Sequence, residues 1–81
     1  MHIYTYNSEI GTFEIRQIAH KRYELWIEDE MLDTYESAEL AAADVAAFNT
    51  GYSEWDRFQN ELENYPSDLS EWSIVKEETP E

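Results

Sequence analysis

The chain has 81 residues, enough for one domain, and it has no cysteine, which excludes disulfides and thiolate metal sites. Nineteen acidic residues against five basic ones give a formal net charge of −14 at pH 7. Because such a field repels phosphate backbones and anionic headgroups, we expect neither a nucleic-acid nor a membrane partner.

The first 36 residues alternate in polarity and predict antiparallel strands. Residues 2–6 are rich in strand formers, and residues 7–11 supply a turn in which Gly11 is free to take a positive φ. Phe13 and Ile15 share one face of the next strand. Residues 23–28 form a third strand, with Tyr23, Leu25 and Ile27 on one face and Glu24, Trp26 and Glu28 on the other. Residues 32–36 are either a short fourth strand or an extended lead-in to a helix.

The hydrophobic period then becomes helical. Ser37 is a good N-cap, and the first helix is expected to end at Gly51 in a left-handed conformation. Ser53 with Asp56 resembles a capping arrangement for a second helix, which Pro66 stops. The apolar faces of the two helices are formed by Ala38, Ala41, Ala42, Val45 and Phe48, and by Trp55, Phe58, Leu62 and Tyr65.

Strands followed by helices predict an α+β domain: a three- to four-stranded antiparallel N-terminal sheet packed by one or two C-terminal helices. Residues 68–75 favour a helical turn and a short strand, with Trp72 and Ile74 turned inward. We expect one domain over residues 1–75 and a disordered acidic tail over residues 76–81. No apolar run approaches ~18 residues, and we expect a cytoplasmic protein of bacterial type.

Several segments together resemble a family of small uncharacterised acidic bacterial proteins. They are residues 11–15 (GTFEI), 23–30 (YELWIEDE), 35–37 (YES), 41–45 (AAADV) and 50–56 (TGYSEWD), and the likeness extends through Pro66 to Trp72. The resemblance implies a single compact bacterial domain. It implies no activity, because the family has none assigned.

No catalytic or cofactor motif is present, and we expect a non-enzymatic protein without a cofactor. There is no Gly-x-Ser-x-Gly elbow, and Gly11 and Gly51 are isolated, so neither opens a phosphate-binding loop. His2 and His20 are expected to be solvent-exposed. The acidic turn over residues 28–33 lacks the calcium-loop pattern and is expected to be solvated, with no specific metal.

The best candidate for function is an aromatic–acidic cluster at the start of the second helix. Its candidate interaction residues are Tyr52, Glu54, Trp55, Asp56, Glu61 and Glu63. Trp and Tyr are common interface anchors, and the flanking carboxylates, expected to face outward, would steer a basic partner. Trp55 could instead close the core against the first helix.

Two hypotheses follow from charge and size. The first is an acidic module that binds a basic protein surface, of the inhibitor, immunity or DNA-mimic type. The alternative is a structural or regulatory domain that self-associates through an aromatic patch, with its charge only solubilising. Single-strand nucleic-acid binding through Tyr4, Tyr6, Phe13 and Trp26 is opposed by the net charge. The oligomeric state stays open.

Overall fold

A computed structural model of the chain describes residues 2–59, 61 and 65–77. Its main element is a five-stranded sheet in the order β4-β3-β2-β1-β5, in which every neighbouring pair is antiparallel. The strands are β1 (His2–Ser8), β2 (Gly11–Ala19), β3 (Arg22–Ile27), β4 (Glu30–Tyr35) and β5 (Ser73–Glu77). The predicted α+β class is confirmed, with one strand more than expected.

Short turns connect the first four strands into a meander, and β5 returns to pair with β1. Gly11 takes the positive φ that the sequence predicts, at 139°. A Cβ atom there would lie 3.0 Å from Cγ of Glu28. Glycine therefore lets the first hairpin lie against the turn between β3 and β4.

Helix α1 (Ala38–Ala46) packs on one face of this sheet, where it contacts β2, β3 and β4. The predicted inward positions of β2 and β3 are confirmed: Phe13, Ile15 and Leu25 are 0% exposed. The core between the two layers is completed by Ile27, Ala38, Ala41, Ala42, Val45, Phe48, Trp55 and Trp72. The alanines of α1 allow the helix to approach the sheet closely.

The start of α1 follows the sequence prediction, but its end does not. Ser37 is the N-cap, and its Oγ accepts the N–H of Leu40 at 3.1 Å. The helix ends at Ala46, and Phe48 takes the left-handed conformation with φ 57°. The N–H of Phe48 donates to Val45 O at 3.1 Å and that of Asn49 to Asp44 O at 2.9 Å, the bonds of a Schellman motif. Gly51 also has a positive φ, 85°, but lies in the loop beyond.

The second helix is shorter than the apolar spacing predicts. Helix α2 (Ser53–Asp56) is one turn, followed by turn-like residues 57–59. Its N-cap, Tyr52, makes no side-chain cap, so the predicted Ser53–Asp56 capping arrangement is wrong. Leu62 lies outside the described residues.

The C-terminal segment forms the predicted turn and strand: a 3₁₀ turn (Leu69–Glu71) precedes β5. Trp72 is buried as expected, but Ile74 is 59% exposed, so its predicted inward position is wrong. Ile74 pairs with Tyr4 and so shares the covered face, but β5 is an edge strand, and α1 packs mainly over β2, β3 and β4.

The predicted tail begins within this strand. The backbone of Lys76 and Glu77 continues β5, and residues 78–81 lie outside the described part of the chain. No helix in the described part is long and apolar enough to cross a membrane.

Candidate functional site

Trp55, the central residue of the predicted interaction cluster, belongs to the core. It is 1% exposed, packs edge-on against Phe13 at 5.0 Å between ring centroids, and stacks on Phe48 at 4.9 Å. Its indole N–H donates to Val45 O at 3.0 Å, so the buried polar group is satisfied. Of the two positions that the sequence left open, Trp55 takes the core one, and it offers no surface to a partner.

The carboxylate of Asp56 is also engaged inside the protein. Asp56 Oδ1 accepts the backbone N–H of Thr50 at 3.0 Å and the Thr50 hydroxyl at 2.8 Å, and Oδ2 accepts the N–H of Gly51 at 2.9 Å. Thr50 is 5% exposed. Asp56 therefore holds the loop between the two helices, and the expectation that its carboxylate faces outward is wrong. Asp56 lies only six residues after Thr50 and five after Gly51, but one sequence does not show that this loop folds back onto its carboxylate.

Tyr52 and Glu54 are the members of the predicted cluster that meet at the surface. The Tyr52 hydroxyl donates to Glu54 Oε1 at 2.8 Å. That hydrogen bond, followed by desolvation and the charges of Glu54, Glu30 and Glu28, raises the pKa of Tyr52. The turn after β3 is thus electrostatically coupled to the start of α2. We call Tyr52, Glu54, Glu28 and Glu30 the acidic corner.

The other predicted carboxylates do not extend this corner within the described structure. Glu61 is exposed, and Glu63 lies outside the described residues. The sequence analysis did not predict that the charges of Glu28 and Glu30 act on Tyr52, because more than 20 residues separate them from Tyr52 and only the tertiary fold couples them.

The charge is polarised along β3. The acidic corner includes the turn that follows this strand, whereas Lys21 and Arg22 lie where the strand begins. These two cations line an open groove of about 500 Å³ together with Thr34, Tyr35, Glu36 and Leu40. An approaching basic surface would therefore be directed toward the end of β3 that carries the acidic corner.

The face of the sheet opposite α1 carries an ordered cluster of side chains. Strand register places Glu14 opposite Trp26 and Arg16 opposite Glu24 on β2 and β3. The Arg16 guanidinium lies over the Trp26 ring at 4.2 Å, and its Nε donates to Glu14 Oε1 at 2.7 Å. The Trp26 indole N–H donates to Glu24 Oε1 at 3.0 Å. We call the surface formed by Ile3, Thr5, Glu14, Arg16, Glu24, Trp26, Met31 and Thr34 the open face.

The aromatic residues considered as a stacking surface for single-stranded nucleic acid lie on two different faces of the sheet. Tyr4 and Tyr6 pair with Ile15 and Phe13 and lie on the covered face, whereas Trp26 lies on the open face. The alternation of β3 predicts the outward position of Trp26, but the register with β2 that brings Arg16 over it is not readable from one sequence.

The acidic turn provides no metal centre that we can identify. Within residues 2–59, 61 and 65–77, no group of three His, Asp or Glu side chains is placed to hold a metal ion. One carboxylate of the turn is committed elsewhere, because Glu28 Oε2 accepts the Thr12 N–H at 2.8 Å.

The acidic corner and the open face together present carboxylates, a tyrosine hydroxyl and a partly buried indole ring. Comparisons with family models, curated proteins and solved structures give no match to this chain.

Proposed function

We propose that this chain is a non-enzymatic acidic module that binds a basic protein surface, of the inhibitor, immunity or DNA-mimic type. The observation that supports the proposal most directly is the acidic corner. There the exposed Glu54 accepts the Tyr52 hydroxyl at 2.8 Å, and the charges of Glu30 and Glu28 act on the same tyrosine, in a protein of net charge −14. Tyrosine provides a rigid contact area, and the carboxylates accelerate encounter with a basic partner.

The test is capture of the partner at two salt concentrations. The immobilised chain should retain one stoichiometric basic protein from a bacterial lysate at about 0.05 M salt and release it at about 0.5 M, because added ions screen the attraction. If no protein is retained at low salt, the proposal fails.

Charge variants then locate the contact with the purified partner. Glu54→Gln removes one charge from the acidic corner, and Glu36→Gln removes the same charge from an exposed position after β4. We expect Glu54→Gln to weaken binding about three- to ten-fold, mainly through slower association, and Glu36→Gln to change it less than about two-fold. Equal effects would show that only net charge matters.

Self-association is the second candidate, and the exposed edge of the sheet favours it. Among the described strands β5 pairs with β1 alone, and Ile74 beside the free edge is 59% exposed. The net charge of −14 opposes the approach of a second copy. Light scattering after size-exclusion chromatography decides the question, since a monomer at high concentration and high salt rejects this candidate.

A further inference from the structure

We propose that the open face is the docking surface for the apolar centre of the basic partner, with Trp26 as its anchor. This inference rests on the proposed function and adds a location and a chemistry to it. The partner is a protein whose contact region has an apolar centre surrounded by lysine or arginine.

The sheet has one face without a cover in the described structure. Helix α1 and the aromatic core occupy one side of β2, β3 and β4. No element within residues 2–59, 61 and 65–77 packs over the central strands on the other side. On this side Met31 and Thr34 are exposed, and Trp26 is partly buried beneath Arg16.

Trp26 lies near the middle of this open face and is held in one orientation. Its neighbours in register are Glu14 on β2 and Met31 on β4. Arg16 covers the indole ring and Glu24 accepts the indole N–H, so the ring is fixed before any partner arrives. A side chain ordered in advance loses little entropy on binding, which is the property of an interface anchor.

An exposed apolar side chain lies directly beside this anchor. Met31 is 45% exposed although it is paired with Trp26 across the strands. Methionine adapts its shape to different contact surfaces and is common at binding sites. Trp26 and Met31 together form a small apolar centre, and Glu14 and Glu24 lie beside it.

The charge around this centre identifies the occupant as basic. Arg16 is a cation of the open face, and its charge is already paired with Glu14. Glu28 lies at the end of this face beside β2, where its Oε2 accepts the Thr12 N–H, whereas Glu30 pairs with the buried Ile27 and belongs to the covered face. A partner with a basic rim would be attracted by Glu14, Glu24 and Glu28 and by the net charge of −14, whereas a nucleic acid would be repelled.

A matched pair of variants tests the location. Met31→Lys places a positive charge on the open face, and Leu40→Lys makes the same change at a side chain 52% exposed on α1. With the partner captured at low salt and then purified, we expect Met31→Lys to weaken binding more than about ten-fold and Leu40→Lys less than about two-fold, because like charges across an interface repel.

The possible outcomes separate this inference from the proposed function. If wild-type protein retains a basic partner but both lysine variants bind equally well, the open face is not the docking surface and the proposed function stands. If wild-type protein retains no partner, the proposed function itself fails. A retained partner of acidic isoelectric point, or a second copy of this chain on the open face, would overturn the inference.

A second measurement separates docking from a purely structural role of the indole ring. Trp26→Phe keeps an aromatic ring beneath Arg16 but loses the hydrogen bond to Glu24 and part of the contact area. We expect it to weaken partner binding at least about five-fold at a temperature where circular dichroism shows it fully folded. Unchanged affinity in the folded variant would refute an anchor role for Trp26.

Discussion

The left-handed residue that ends α1 provides a sharp test of the structure. Phe48 has φ 57°, a conformation that costs a residue with a side chain about 1–2 kcal/mol relative to glycine. Its ring is 9% exposed, stacks on Trp55 and contacts Tyr65 edge-on at 5.3 Å. Burial of an aromatic ring is worth about 3–5 kcal/mol, so packing outweighs the backbone strain.

Two substitutions separate packing from strain. Phe48→Ala and Phe48→Gly both remove the ring, and each should lower the free energy of unfolding by about 2–5 kcal/mol. Glycine also removes the backbone strain of about 1–2 kcal/mol. It lowers the free energy of the unfolded chain by about 0.4–1 kcal/mol, because glycine has more conformational entropy there. Phe48→Gly should therefore be the more stable variant by about 1 kcal/mol, which is about 4–8 °C in melting temperature for a domain of this size.

The assay is thermal unfolding followed by circular dichroism, with both variants in the same stabilising osmolyte so that each remains folded. Ala47→Gly is the control, because Ala47 has an ordinary helical φ of −88°. There glycine should lower stability, by about 0.5–1 kcal/mol. If Phe48→Ala is as stable as Phe48→Gly, the left-handed assignment of Phe48 is refuted.

Three further predictions concern charges and polar contacts. Burial, followed by the hydrogen bond to Asp44, raises the pKa of Tyr35. The raised pKa contributes stability that is present below about pH 10 and lost as the pH rises toward the folded-state value. Tyr35→Phe should flatten that alkaline loss in urea titrations, and an unchanged slope would contradict the assignment. Asp56→Ala should lower the free energy of unfolding by about 2–3 kcal/mol, because it leaves the buried Thr50 hydroxyl and two backbone N–H groups without their acceptor; a loss under about 0.5 kcal/mol would be inconsistent with this. Sodium chloride should raise the melting temperature by screening the repulsion among the excess carboxylates, and a lower melting temperature at about 0.5 M salt would count against net repulsion.

Local sequence patterns predicted the elements of this fold well where one residue type determines the geometry. The alternation in β2 and β3 identified the buried face, and Ser37 marked the start of α1. These features depend on near neighbours in sequence. The end of α1 depends instead on a tertiary contact, because the packing of the Phe48 ring on Trp55 determines which residue takes the left-handed conformation.

The candidate site was predicted only in part for a related reason. The cluster around residue 52 was identified from composition, but the buried position of Trp55 depends on Phe13 and Val45, which are distant in sequence. The coupling of Tyr52 to Glu30 likewise requires the sheet to be folded. Strand register and long-range contacts determine a surface of this kind, and a single sequence records neither.

The pairing of β1 with β5 has a consequence for how this protein folds during its synthesis on the ribosome. β1 can join β2 as soon as the first hairpin has emerged, but its other neighbour is the last strand described, with His2 opposite Glu77. During synthesis one edge of β1 therefore stays unpaired until residues 73–77 have been added and can form β5. Contacts so distant in sequence form late and slowly. The nascent chain should be most prone to aggregation, and most dependent on chaperones, in the interval before β5 leaves the exit tunnel.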